Sequence, residues 1–98
     1  MGCIDGDGYE CNDTIATNTG AFVATLPVAV IGQCVTFYHL TAGNYVVNPN
    51  GIERILTLTD ANGDSILSAT VGDSIELCAI AASQWAAVAR VGTWSDNN

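Results

Sequence analysis

Positively charged side chains are nearly absent from this chain of 98 residues, since only Arg54 and Arg90 face ten aspartates and glutamates. The resulting net charge at pH 7 is −8. Nucleic-acid binding needs clustered lysines or arginines that neutralise phosphates, so the composition excludes a nucleic-acid partner. The same lack of positive charge disfavours an anionic membrane surface.

Long apolar runs are also missing. No stretch approaches the roughly 18 residues that a membrane-spanning helix needs. Residues 1–13 lack the basic start and the apolar centre of a secretory signal. We therefore expect a protein that does not enter a membrane and that is synthesised in a cytosol.

Cysteines are few, and none of the four lies in the Cys-x-x-Cys spacing that is typical of zinc sites. Cys34 and Cys78 lie in strand-like stretches, and we expect both to pack as small apolar residues. Cys3 and Cys11 flank a loop rich in glycine and aspartate. We expect them to be free thiols, with a small disulfide as the alternative in an oxidising setting.

Acidic residues cluster in two stretches that raise the question of calcium binding. Residues 60–71 match the EF-hand loop at three positions, but serine and valine stand where glycine and glutamate belong. The pair Asn62-Gly63 is a strong hairpin-turn signal and explains this stretch better. An opportunistic calcium site at Asp5, Asp7 and Glu10 stays open as an alternative, but we expect no metal and no other cofactor.

The tripeptide Gly-Asp-Ser occurs at 63–65 and again at 72–74, and one esterase family has its nucleophilic serine in such a motif. Ser65 and Ser74 would need a base and an α/β sheet to act in this way. The single histidine, His39, lies in a strand-like segment beside Val35 and Phe37, where we expect a core or interface residue. Turn chemistry accounts for both repeats, so we expect no catalytic residue and no enzymatic activity.

Short β-branched and aromatic segments alternate with glycine, proline and asparagine turns, and no segment has a helical stripe. For residues 28–32 the sequence leaves two alternatives, namely one helical turn or a buried connection. The pattern predicts an all-β fold, namely a small antiparallel β-sandwich, roll or barrel. The predicted strands lie near 21–26, 34–40, 45–48, 53–59, 65–70, 74–81 and 84–91.

Residues 1–19 differ from the rest because they are polar, with isolated apolar side chains. We expect an irregular N-terminal arm over 1–19 that becomes ordered on a partner, followed by a single β domain over 20–98. Trp85 lies in an alternating strand and is expected to anchor the core, whereas Trp94 either caps the sandwich or faces a partner. The residues predicted to contact a partner are Ile4, Tyr9, Ile15 and Trp94.

Hydrophobic residues make up 49% of the chain and charged residues only 12%. A soluble domain typically has about 25% charged residues. We therefore expect part of the apolar surface to be covered in a homo-oligomer, for which a trimer is favoured, or by another partner. A monomer with a sticky surface is the alternative.

Three segments in this order resemble small structural proteins and fibre-terminal domains of tailed bacteriophages: ATLPVAVIGQCVTFYHL, then NPNG, then GDSIELCAIAASQWAAVARVGTW. The resemblance covers residues 20–98. It implies a non-enzymatic virion component that is made in the host cytoplasm. In a short chain it suggests a capsid decoration (cement) protein, bound to the major capsid protein on the head exterior. The alternative that it implies is a fibre-tip domain that recognises a host glycan.

Overall fold

The computed structural model describes residues 13–56 and 58–97, and at residues 13 and 14 it describes the backbone alone. Over these ranges the chain contains no helix, and therefore none that could cross a membrane, and the predicted all-β fold is confirmed. The strands are β1 (Asp13–Thr17), β2 (Phe22–Thr25), β3 (Cys34–Tyr38), β4 (Tyr45–Asn48), β5 (Arg54–Leu56), β6 (Ile66–Ser68), β7 (Ser74–Ala81), β8 (Gln84–Val91) and β9 (Ser95–Asp96).

The nine described strands form two separate sheets. One has five strands in the order β1-β3-β7-β8-β5, and the other has four in the order β2-β4-β6-β9. Of the seven described strand pairings, β1/β3, β2/β4 and β5/β8 are parallel, so the sheets are mixed and not antiparallel as predicted. From β1 to β7 the chain alternates between the sheets. Two strands of one sheet that are separated in the chain by a strand of the other sheet can therefore run in the same direction.

The predicted strands agree with β2 to β8, most closely for β4, β7 and β8, whose bounds match. The short strands β1 and β9 were not predicted. The segment 28–32 is neither a helical turn nor a buried connection. It is a loop in which Val28, Val30 and Ile31 are exposed and Ala29 is buried.

Strand β1 corrects the predicted boundary between arm and domain. Asp13 to Thr17 pair in parallel with Cys34 to Tyr38 at the edge of the five-stranded sheet. An edge strand has one partner strand and needs few apolar side chains, so its polar composition was misleading. The described part of residues 1–19 therefore belongs to the β domain, whereas Ile4 and Tyr9 lie outside the described residues.

Asn18 follows β1 directly and is fully buried. Its side chain links the loop after β1 to the loop after β3 through hydrogen bonds. Its amide nitrogen donates hydrogen bonds to the carbonyls of Gly20 and Thr41, both at 2.8 Å. Its amide oxygen accepts the backbone N–H groups of Leu40 at 2.8 Å and Thr41 at 3.1 Å. The Thr41 hydroxyl completes the junction, because it donates to the Asn18 carbonyl and accepts from the Gly20 N–H.

The hydrophobic core lies between the two sheets, with Tyr45 near its centre. The ring of Tyr45 meets those of Phe37, His39 and Trp94 at centroid distances of 6.0, 6.0 and 6.1 Å. Trp85 is fully buried, as predicted for a core anchor. The other buried apolar residues of this cluster are Leu26, Ala29, Val35, Val47, Ile55, Ile66, Ile75, Leu77 and Ala79.

Tyr45→Phe should leave the stability unchanged or raise it by up to about 1 kcal/mol, because a buried hydroxyl without a partner costs free energy. The Tyr45 hydroxyl is buried and has no hydrogen-bond partner among the described residues, and burial raises the pKa of this phenol. Urea unfolding at pH 7 measures the difference. Tyr38→Phe, at a more exposed ring, is the control. A loss of more than about 1 kcal/mol in Tyr45→Phe alone would show that the hydroxyl is stabilising.

Candidate functional site

The two Gly-Asp-Ser serines lie at structural positions. Ser65 is buried, and its carbonyl accepts the N–H of Asn97, which holds the C-terminal segment against β6. Ser74 begins β7, and its carbonyl accepts the indole N–H of Trp94 at 3.1 Å. Both repeats precede a strand, as their turn chemistry predicts.

A different serine pairs with the histidine. His39 Nδ1 lies 2.8 Å from the hydroxyl oxygen of Ser68, and this hydroxyl donates to Asp73 Oδ2 at 2.7 Å. A serine hydroxyl has one proton, so His39 must donate its Nδ1–H to Ser68. All three residues are buried, with exposures of 0%, 1% and 7%.

The order of this chain of hydrogen bonds is wrong for a catalytic triad. In a triad the histidine stands between the serine and the carboxylate and removes the serine proton. Here Ser68 stands between His39 and Asp73, and its hydroxyl is not accessible. The network therefore joins β6 to the end of β3 and to the turn before β7. Backbone bonds at 2.8 Å from the His39 N–H to Asp73 and from the Gly72 N–H to His39 reinforce it.

Glycine at position 92 leaves room for the Asp73 carboxylate, since a Cβ built on Gly92 would overlap it. Sequence reasoning predicted a core or interface position for His39, and the structure places it in the core, but neither Ser68 nor Asp73 was found as its partner. No local motif marks Ser68. Its role depends on the pairing of β6 with β4, which places it opposite Tyr45.

A second buried polar group holds the loop between β2 and β3. The Glu53 carboxylate is 6% exposed and accepts the Ala29 N–H at 3.0 and 3.2 Å through its two oxygens. It also accepts the indole N–H of Trp85 at 3.1 Å. Because Ala29 is fixed inward, the flanking Val28 and Val30 point outward, with exposures of 59% and 62%.

Three aspartates form an acidic cluster: Asp60, Asp64 and Asp96 have carboxylate oxygens within 4.8 Å of one another. Asp96 comes from β9, so this group is not the EF-hand pattern of residues 60–71. Desolvation, a hydrogen bond with Asp60 and the charges of Asp96 and Asp60 raise the pKa of Asp64, and the charge of Arg54 partly opposes them. Calcium takes six to eight oxygens, and three carboxylates alone do not define a site for it.

Asp64→Asn should be more stable than the wild type at pH 7, because it removes one carboxylate from this cluster. The raised pKa means that the folded chain holds this proton more tightly than the unfolded chain. The charged Asp64 therefore destabilises the fold above the carboxylate range, and because this penalty is lost as the pH falls through that range, the advantage of Asp64→Asn should shrink. Thermal unfolding at pH 7 and pH 4 tests this, and high salt should also shrink the difference through screening. An advantage that grows on acidification contradicts it.

The structure corrects the prediction for Cys34 and Cys78, which form a disulfide. They lie directly opposite each other in the antiparallel pairing of β3 with β7. Their separation of 44 residues hides this relationship in the sequence. Asp5, Asp7 and Glu10, proposed for calcium, and Cys3 and Cys11 lie outside the described residues.

Apolar side chains are exposed over much of the described surface. Among the residues whose side chains are described, thirteen large hydrophobic ones are exposed, including Ile15 at 70%. Several belong to what we term the outer face, the solvent side of β1, β3, β7 and β8. The outer face is formed by Ile15, Thr17, Thr36, Tyr38, the Cys34–Cys78 disulfide, Ser74, Glu76, Ile80, Ala86, Ala89 and Val91.

Of the predicted partner-binding residues, the structure describes Ile15 and Trp94, and it does not bring these two together. Ile15 lies on the outer face and is accessible, which suits a contact residue. Trp94 is 2% exposed, packs against Tyr45 and donates its indole N–H to Ser74. It is a core residue, which corrects the prediction that it contacts a partner.

A cavity of about 240 Å³ lies beside the irregularity in β8 and is lined by Leu58, Ala87, Val88, Ala89 and Arg90. The described residues of its lining include no serine, cysteine, histidine or carboxylate.

Comparison of the chain with protein-family models, with curated proteins and with solved structures returns no match.

Proposed function

We propose that this chain is a non-catalytic structural protein that forms an oligomer through the outer face and docks on a larger particle. The resemblance of residues 20–98 to structural proteins of tailed bacteriophages makes that particle a phage head. The specific proposal is a capsid decoration (cement) protein, with a trimer as the expected oligomer and the major capsid protein as the partner.

The observation that carries the proposal is the exposed apolar surface. Among the side chains of the outer face that the structure describes, Glu76 is the one that carries a charge, and Ile15, Ile80 and Val91 are exposed by 70%, 49% and 60%. Exposed apolar side chains spread over one face of a sheet supply the kind of surface that an interface between subunits buries. Two buried polar networks and a disulfide also make the domain a stiff support for such a face.

The fibre-tip alternative loses its main support. A glycan-binding platform on Trp94 needs an accessible ring, and this ring is in the core. We therefore favour decoration of the head over recognition of a host glycan.

Self-association is tested by sedimentation velocity at micromolar concentration. Wild type should sediment as an oligomer and Ile15→Glu, which places a charge on the outer face, as a monomer. Val23→Glu is a matched control, because Val23 is 56% exposed on the edge strand of the other sheet. A monomeric wild type, or equal effects of the two variants, would count against this interface.

Docking is tested by deletion of residues 1–12 only, because a deletion to residue 19 would remove β1 from its sheet. The shortened chain should keep the far-UV circular dichroism of a β protein and should lose binding to the virus particle. Cryo-electron microscopy of that particle should show copies over the head shell. Copies confined to the tail would instead support the fibre-tip function.

The absence of enzymatic activity is part of the proposal. Hydrolysis of a p-nitrophenyl ester by wild type, Ser65→Ala and Ser74→Ala should match the rate without protein. Turnover by the wild type that either substitution abolishes would reject a non-catalytic role.

A further inference from the structure

The disulfide on the outer face has an acidic neighbour. Glu76 precedes Cys78 by two residues on β7, so both side chains leave the same side of the strand. The Cys34 sulfur, the Cys78 sulfur and a Glu76 carboxylate oxygen all lie within 4.8 Å of one another. All three residues are half-buried, so they combine restricted motion with access from solvent.

We propose that the reduced form of this chain binds one Zn²⁺ through Cys34, Cys78 and Glu76, so that the disulfide and the metal are alternative links between β3 and β7. Two thiolates and a carboxylate are ligands that zinc accepts. With metal–ligand distances of about 2.0–2.3 Å, the ligand atoms of a tetrahedral site are about 3.5 Å apart. The separation of up to 4.8 Å in the structure therefore needs only small side-chain adjustments.

The backbone already supplies the alignment that the site needs. Cys34 and Cys78 face each other in a ladder that continues from Val35↔Leu77 to Tyr38↔Ser74, so four further residue pairs support that register besides the disulfide. Three protein ligands leave the fourth tetrahedral position to solvent, as in open zinc sites. The acidic cluster of Asp60, Asp64 and Asp96 has carboxylates but no sulfur ligands, so a substitution in it serves as the control for metal binding at the cysteines.

The chemistry of the exchange is balanced. A thiol reductant transfers two electrons to the Cys34–Cys78 bond and is itself oxidised to a disulfide, while two protons complete the cysteine thiols. Zinc binding then releases these two protons to solvent, because thiolates are the ligands. Reoxidation by a disulfide oxidant reforms the bond and expels the metal.

The test uses the full chain with Cys3→Ser and Cys11→Ser, so that only two cysteines remain. After reduction by a phosphine and removal of the reductant without oxygen, Co²⁺ is added as a coloured substitute for Zn²⁺. The reduced chain should bind one Co²⁺ with a thiolate-to-cobalt charge-transfer band, and one equivalent of Zn²⁺ should abolish the band. The oxidised chain should show no band.

Two variants assign the ligands. Glu76→Gln should weaken Co²⁺ binding at least about tenfold, since even the loss of an outer partner of a metal ligand costs 10- to 100-fold. Asp96→Asn, which removes a carboxylate from the acidic cluster, should bind as the parent does. Circular dichroism verifies that each reduced chain is folded. A reduced chain that unfolds, that gives no thiolate band, or that binds equally well as Glu76→Gln would overturn the proposal.

Discussion

Asn18→Ala should lower the free energy of unfolding by about 3–4 kcal/mol, a large share of the roughly 5–15 kcal/mol that stabilises a typical domain. The side chain makes four hydrogen bonds in the junction between the loops after β1 and β3. Its removal leaves the N–H groups of Leu40 and Thr41 without their acceptor, and each unsatisfied group costs about 1–3 kcal/mol when buried. Urea unfolding followed by tryptophan fluorescence provides the measurement.

Two further variants separate the hydrogen bonds from the loss of volume. Asn18→Asp keeps an acceptor for the Leu40 and Thr41 N–H groups, but it has no amide donor for the carbonyls of Gly20 and Thr41. It should also be destabilised, because a carboxylate then faces those carbonyl oxygens. Asn44→Ala, at an exposed asparagine, should stay within about 0.5 kcal/mol of the wild type. An Asn18→Ala protein as stable as Asn44→Ala would refute this role of the junction.

Loss of the Cys34–Cys78 disulfide should lower the free energy of unfolding by about 4 kcal/mol. The value follows from the loop-closure entropy of a cross-link between residues 44 apart. The experiment compares Cys34→Ala/Cys78→Ala with its parent, both with Cys3 and Cys11 replaced by serine so that only this bond differs. Urea unfolding in the absence of reductant measures the difference.

Reductant supplies the control for the disulfide experiment. It should destabilise the parent to nearly the level of the double alanine variant and should leave that variant unchanged. A difference below about 1 kcal/mol between the two proteins would mean that the bond constrains the unfolded chain far less than the entropy model requires.

The strands that the sequence pattern predicts best are those with complete alternation of buried and exposed residues. In β7, Ile75, Leu77 and Ala79 are buried and their neighbours are not, and both ends of the strand were predicted. Strand β1 contradicts a rule based on apolar periodicity, because it lies at an edge and exposes Ile15. Strand β9 has two residues, which is too short for any period to appear.

The buried polar groups could not be predicted in the same way. His39, Ser68 and Asp73 come from three separate segments, and only the pairing of strands brings them together. The disulfide has the same origin, since a shift of one residue in the register of β3 with β7 would place Cys34 opposite a different residue. Composition indicated that apolar surface is exposed, but not which face of which sheet carries it.

The alternation of the chain between two sheets has a consequence for how the protein reaches its folded state. Among the nine described strands, only β7 and β8 are both consecutive in the chain and adjacent in a sheet. Every other pairing must wait for distant segments to meet, and proteins with such non-local pairings fold on a timescale of about milliseconds to seconds. The β7–β8 hairpin is the one described pairing of consecutive strands, and until residues 74–91 have been synthesised a nascent chain can form only the longer-range pairs β1/β3, β2/β4 and β4/β6.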